Sequence, residues 1–203
     1  MSTNTTRIPL KEAVKAATAI VEAFTPVCDK IVIAGSVRRR EPTIGDLELV
    51  LMPHRYTGFP SMFDDTEDAI ILGKVTEEFI KVVNTFERLK GQTEGRYLKL
   101  RQDGLEIDVF MPQPHDLGRI LAIRTGSADY SAKVIAGGWG RLGWVGTNDG
   151  LRLASECVYG KRSHSHKWVP ITSKPTLPPV FTSEELFFDF LEIPWIEPSK
   201  RNV

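Results

Sequence analysis

Cysteine is scarce in this chain: Cys28 and Cys157 stand alone among 203 residues, in no spaced pair or cluster. That excludes a disulfide framework and any cysteine-based zinc or redox motif, and makes a reducing cytoplasm the expected location. No apolar run approaches the roughly 20 residues of a membrane-spanning helix, so no membrane is expected as a partner. The first residues are polar and lack the charged-then-apolar layout of a secretory leader. An excess of one charge is missing too. With 26 Lys and Arg against 26 Asp and Glu, composition alone gives no sign of a nucleic-acid partner. No heptad pattern or broad apolar stripe stands out, so a monomer is expected. The length suits one fair-sized domain or two small ones with a real core.

What is present is concentrated in one stretch. The β-branched run Lys30-Ile31-Val32-Ile33 ends at Ala34-Gly35-Ser36, and Arg38, Arg39 and Arg40 follow. A second apolar run, Gly45-Asp46-Leu47-Glu48-Leu49-Val50-Leu51, carries acids at alternate positions. Side chains on a strand alternate between faces, so Asp46 and Glu48 project together while Leu47, Leu49 and Leu51 point into the core. Two neighbouring carboxylates repel unless something positive lies between them, and a hard divalent cation is the candidate. Glycine at the turn lets backbone approach an anion closely, and free amides there suit phosphate. Together these residues read as a nucleotide and metal site.

The flanking chain supplies a scaffold. Pro9 suits a first helical turn, and Leu10, Val14, Ala17, Val21 and Phe24 recur at helical spacing until Pro26. Residues 52–65 read as a loop, and Thr66 followed by Glu67 and Asp68 predicts a helix running on through Val75, Phe79, Val82 and Phe86. Tyr97 to Arg101, a turn at Gln102-Asp103-Gly104, and Leu105 to Phe110 read as a hairpin. Its alternation puts Ile107, Val109 and Met111 inside and Glu106, Asp108 and Phe110 on the other face. Further on, Leu121 to Ser127 precedes a helix including Tyr130, Val134 and Ile135, which Gly137-Gly138-Trp139-Gly140 is expected to break. Residues 142–145 and 151–153 predict a short hairpin, 161–167 a basic loop containing His164 and His166, and 170–179 an extended proline-rich segment. Thr182-Ser183-Glu184-Glu185 opens a closing helix whose apolar face is Leu186, Phe187 and Phe190. Basic residues cluster at 38–40, at Arg88, Lys90, Arg96, Lys99 and Arg101, and at 161–167, which is mild support for a basic groove.

The pattern Gly-Ser-x-Arg-Arg followed by Gly-Asp-x-Glu resembles the signature of the DNA polymerase β superfamily of nucleotidyltransferases. Ile107-Asp108-Val109 matches that superfamily's apolar-Asp-apolar pattern for a third carboxylate on an adjacent strand, with Glu106 the competing candidate. Thr125-Gly126-Ser127 and the ending Leu191-Glu192-Ile193-Pro194-Trp195-Ile196-Glu197-Pro198 are similar to segments of family X DNA polymerases. There the second acid is usually aspartate, a place Glu48 takes here, and an aromatic pair stands where Ile123 and Arg124 do. The resemblance implies an α+β fold: a nucleotidyltransferase palm with mixed sheet and flanking helices over 1–115, and a small α/β thumb-type subdomain over 116–203. Small bacterial or virus-encoded members of this reduced kind are the nearest analogy.

The resemblance also implies the chemistry. Asp46, Glu48 and Asp108 would be the catalytic acids and the ligands of two Mg2+ ions, or Mn2+ in their place, about 4 Å apart. The ions would activate a primer 3′-hydroxyl against the α-phosphate of a nucleoside triphosphate and hold the departing pyrophosphate. Gly35, Ser36, Arg39 and Gly45 would hold its phosphates, the arginine by a two-pronged contact that never loses its charge. Arg124, Thr125 and Gly126 would lie by the incoming sugar, and loss of the aromatic pair there predicts appreciable ribonucleotide incorporation. The implied partners are nucleoside triphosphates and gapped or primer-template DNA, and the implied role is short gap filling in DNA repair. With room for one helix before the Gly-Ser motif, no lyase activity is expected. With so few DNA contacts, binding should be weak and salt-dependent. A template-independent transferase acting on RNA or another acceptor is the alternative, followed by a non-catalytic nucleic-acid-binding module.

Overall fold

The computed structural model describes residues 7–56, 74–147, 150–162 and 165–201. The chain divides into two compact units, Met1–Pro112 and Gln113–Val203, each with its own apolar cluster. Both are mixed α+β. Among the described residues no helix is long and apolar enough to cross a membrane.

In the first unit, β1 (Ile8–Pro9) leads into α1 (Leu10–Phe24), then β2 (Cys28–Ile33), the single helical turn α2 (Gly35–Arg38), β3 (Thr43–Ile44) and β4 (Leu47–Pro53). After α3 (Glu77–Val83) come β5 (Glu87–Gly91), β6 (Tyr97–Gln102) and β7 (Leu105–Phe110). The five longer strands form one sheet in the order β2-β4-β7-β6-β5. β4 and β7 run parallel at its centre, and every other neighbouring pair is antiparallel. The alternate apolar residues of these strands fix which face is covered by helices. Leu47, Leu49, Leu51, Leu98, Leu100, Ile107 and Val109 are fully buried against α1 and α3. The β6–β7 hairpin turns at Asp103 and Gly104, both with positive φ (50° and 80°), the backbone that a two-residue turn of this hand requires.

The helices depart from expectation in instructive ways. Pro9 is extended and stands just ahead of α1 as its N-cap, outside the first turn. The buried stripe of α1 is Ala13, Ala17, Ile20 and Phe24, whereas Val14, one position round the helix from Ala13, is 42% exposed. α3 begins after Thr76, whose hydroxyl accepts a 3.4 Å hydrogen bond from the Phe79 amide, with Glu77 and Glu78 in the favourable first turn. The start expected at Thr66 lies outside the described residues. Val75 precedes the helix and bridges to Arg55, and Phe86 follows its end.

The second unit holds α4 (Leu117–Thr125), α5 (Ala128–Tyr130), a π-helical stretch Ser131–Ala136 and α6 (Gly137–Arg141). Two antiparallel hairpins follow, β8 (Trp144–Thr147) with β9 (Gly150–Leu153) and β10 (Cys157–Arg162) with β11 (Ser165–Pro170), and α7 (Glu184–Phe190) closes the unit. The glycine run 137–140 continues the helix and does not break it. A Cβ on Gly138 would lie 3.3 Å from a Leu191 methyl, so glycine serves close packing there. The basic segment expected to be a loop is largely the β10–β11 ladder, with His164 outside the described residues. α7 is capped by Ser183 and buries Glu184, Phe187 and Phe188, while Leu186, expected inside, is 48% exposed. The buried glutamate is explained by Arg201, itself fully buried and 2.8 Å from it through Nη1.

Candidate active site

The sheet of the first unit has one face under α1 and α3; its other face carries the acids. Glu48 on β4 stands in register with Asp108 on β7, and Asp108 is in turn opposite Lys99 on β6. Asp46 lies just before β4, two residues from Glu48 and so on the same side. Phe110 lies on that face too, where it is 8% exposed and packs with Tyr97, ring centres 5.3 Å apart.

Burial and the neighbouring Asp108 carboxylate together push the Asp46 carboxyl above the usual aspartate value, with Glu106 adding to this. Lys99 and Arg7 pull the other way and do not offset it. Charge is therefore crowded at this spot, with more negative than positive. Glu106 is differently placed. It is 2.6 Å from the Lys99 ammonium and 3.1 Å from the Arg101 guanidinium, and these hydrogen bonds hold its carboxyl below the usual range. Glu106 thus serves the two bases beside it, which leaves Asp108 the less committed acid on β7. Asp108 accepts a hydrogen bond from the Tyr97 hydroxyl, 2.7 Å away.

The Gly35-Ser36 segment forms the turn α2, entered through Gly35 at φ +60°. The Ala34 amide donates to the Glu48 carbonyl at 2.8 Å, which ties this turn to β4. A Cβ on Gly35 would fall 2.0 Å from Glu48 Oε2 and 2.9 Å from its Cδ. Glycine here makes room for the carboxylate of Glu48, the longer acid in the motif. Ser36 is half-buried, and its carbonyl accepts from the Glu41 amide at 3.0 Å. The Arg39 side chain is 14% exposed and lies 3.4 Å from Glu41, an acid that any phosphate would have to compete with. Gly45 has the Arg7 guanidinium alongside, where its Nε donates to the Thr43 hydroxyl at 2.9 Å.

Arg124, Thr125 and Gly126 belong to the second unit, at the end of α4. Thr125 is fully buried, Gly126 has φ +67°, and the Gly126–Ser127 peptide is cis. Ser127 caps the next helix by accepting from the Tyr130 amide at 3.3 Å. Trp139 and Trp144 pack on the second unit's core, and Trp168 pairs with Tyr159 across the β10–β11 ladder.

Among the described residues no three His, Cys, Asp or Glu side chains converge as a preformed metal centre. The donor set is nonetheless that of a hard cation, all carboxylate oxygen with no thiolate or imidazole, and it fits Mg2+ or Mn2+. A surface hollow of about 550 Å³ lined by Ile8, Glu12, Ala16, Gln102 and Asp103 contains none of these acids. Three participants escape a reading of the sequence: Arg7, Tyr97 and Lys99. Each is an ordinary surface-type residue until the fold sets it beside an acid. Cross-strand register, once the β6–β7 hairpin is recognised, was the available signal for Tyr97 and Lys99. Against known proteins, no family model matches the chain and no curated protein matches it.

Proposed function

We propose that this protein is a metal-dependent nucleotidyltransferase of the DNA polymerase β superfamily. We read it as a template-directed, family X-type DNA polymerase that fills short gaps. The observation that carries this reading is the registry of Glu48 with Asp108 on parallel neighbouring strands, with Asp46 on the same face and Gly35 against Glu48. Asp46, Glu48 and Asp108 would hold Mg2+ or Mn2+. A metal held there would supply Lewis-acid chemistry, lowering the pKa of the attacking hydroxyl and balancing charge on the phosphates. The chain's own residues do the rest by placement. The three acids gather the negative charge that draws a cation to this face. The absence of a side chain at Gly35 makes room for the Glu48 carboxylate, and Lys99 with Arg101 keeps Glu106 out of competition for the cation. Positioning and electrostatics of this kind suffice for phosphoryl transfer, which demands little covalent chemistry from the protein.

Labelled nucleotide offered to a one-nucleotide gap, with each of the four template bases in turn, tests the reading. Incorporation that follows the template base is expected. Incorporation indifferent to it would support a template-independent transferase, and none on any acceptor would support a binding role.

A further inference from the structure

Tyr97 and Asp108 sit on neighbouring antiparallel strands, one diagonal step apart on the acid-bearing face. The Tyr97 hydroxyl donates to Asp108 Oδ1 at 2.7 Å, and among the described residues it is the one hydrogen-bond donor to that carboxylate. Lys99, directly opposite Asp108, spends its short contact on Glu106 Oε2 at 2.6 Å instead. The Tyr97 ring is itself held: it stands opposite Phe110 in the ladder, with ring centres 5.3 Å apart and planes 35° apart, and Phe110 is buried. A tyrosine has only two side-chain torsions, so a packed ring fixes its hydroxyl well.

We infer that Tyr97 is a positioning residue: its hydroxyl pins one oxygen of Asp108 and leaves the other for a divalent cation, a role that rests on reading Asp46, Glu48 and Asp108 as the metal ligands. Ligating carboxylates are commonly oriented by such outer hydrogen bonds, whose loss costs about 10–100-fold in metal affinity or activity. A hydrogen bond to a carboxylate also drains some of its charge, which by itself would weaken metal binding; the proposal is that orientation outweighs this.

The test is a titration of the full chain with Mn2+, without nucleotide or DNA, read by the electron paramagnetic resonance of free Mn2+. Wild type, Tyr97→Phe and Asp108→Asn are compared. Tyr97→Phe keeps the ring and its packing on Phe110, so its metal-free melting curve should match wild type. Its Mn2+ affinity should fall by about 10–100-fold. In nucleotide addition, the half-saturating Mn2+ concentration should rise by a similar factor while KM for the nucleotide stays put. A merely structural tyrosine would not split those two constants. Affinity in Tyr97→Phe equal to or tighter than wild type, with Asp108→Asn clearly weakened, overturns the role of Tyr97 and leaves the acids as ligands. A wild type that binds no Mn2+, or an Asp108→Asn that binds as wild type does, overturns the reading of the acids and the role of Tyr97 with it.

Discussion

At the scale of single residues, Asp46 and Gly35 carry consequences of opposite kinds. Asp46 holds its proton more tightly in the folded protein than an ordinary aspartate, because burial and Asp108 disfavour the charged form. Between the ordinary value and the raised one, the folded state binds more protons than the unfolded chain, so stability falls as pH rises through that window and stays reduced above it. Asp46→Asn removes the penalty. Without metal, this variant should be more stable than wild type at neutral pH, with the gap closing as pH drops below the ordinary aspartate value. Urea midpoints at several pH values measure this, and a gap that does not change with pH would count against the crowding. Gly35 is constrained twice, by φ +60° and by the carboxylate that a Cβ would strike at 2.0 Å. The backbone conformation alone costs a non-glycine residue about 1–2 kcal/mol, while the tip of Glu48 can move more cheaply. Gly35→Ala should therefore lose at least that much stability by urea titration. Adding Glu48→Asp, which shortens the acid, should recover only the contact part of the loss. A neutral Gly35→Ala would show that the turn is not as described.

At the scale of elements, the strands were far more legible than the helices. Alternation over Leu47 to Leu51 and Leu105 to Phe110, and the Asp103-Gly104 turn, rest on local rules that tertiary packing has no reason to override. Helix limits depend on competition between similar signals. Thr76-Glu77-Glu78, where α3 starts, carries the same cap chemistry as Thr66-Glu67-Asp68, which lies outside the described residues. Glycines at 137–140 look like a break because their cost in a helix is local, whereas what favours them, the close approach of Leu191 to Gly138, is distant in sequence. The acidic start of α7 hid a buried charge for the same reason. Glu184 reads as a helix-start acid until Arg201, 17 positions on, is found against it. Arg201 also donates from Nε to the Ile196 carbonyl at 2.7 Å, and its guanidinium carbon lies 4.9 Å from the Phe188 ring centre. Removing one partner leaves an uncompensated buried charge, at a cost of about 3–5 kcal/mol. Arg201→Met should destabilise the second unit by about that amount in denaturant unfolding. Arg201→Met combined with Glu184→Leu should regain much of the loss. Equal losses in the single and double variants would mean that the aromatic contacts of Arg201, and not its charge pairing, hold the chain end.

At the scale of the whole molecule, the site became readable in layers. Asp46 and Glu48 share a face by strand periodicity alone. Asp108 joined them through a resemblance, because nothing local in a hairpin says that β7 will lie parallel beside β4. Of the partners that tune the acids, Tyr97 and Lys99 follow from the register of the β6–β7 hairpin, whereas Arg7, outside any strand, is brought near Asp46 only by the folded unit. The two units each bury an apolar cluster of their own; of the residues that the resemblance ties to a nucleotide, Gly35, Ser36, Arg39 and Gly45 belong to the first and Arg124, Thr125 and Gly126 to the second.

Whether the three acids support metal-dependent nucleotide addition is read by primer extension across a one-nucleotide gap with Mg2+ or Mn2+, comparing wild type with Asp46→Asn after melting curves have shown both to be folded. Metal-dependent, template-directed addition is expected from wild type and its loss from the variant. Addition that survives in Asp46→Asn, or a wild type inert with both metals, would contradict this.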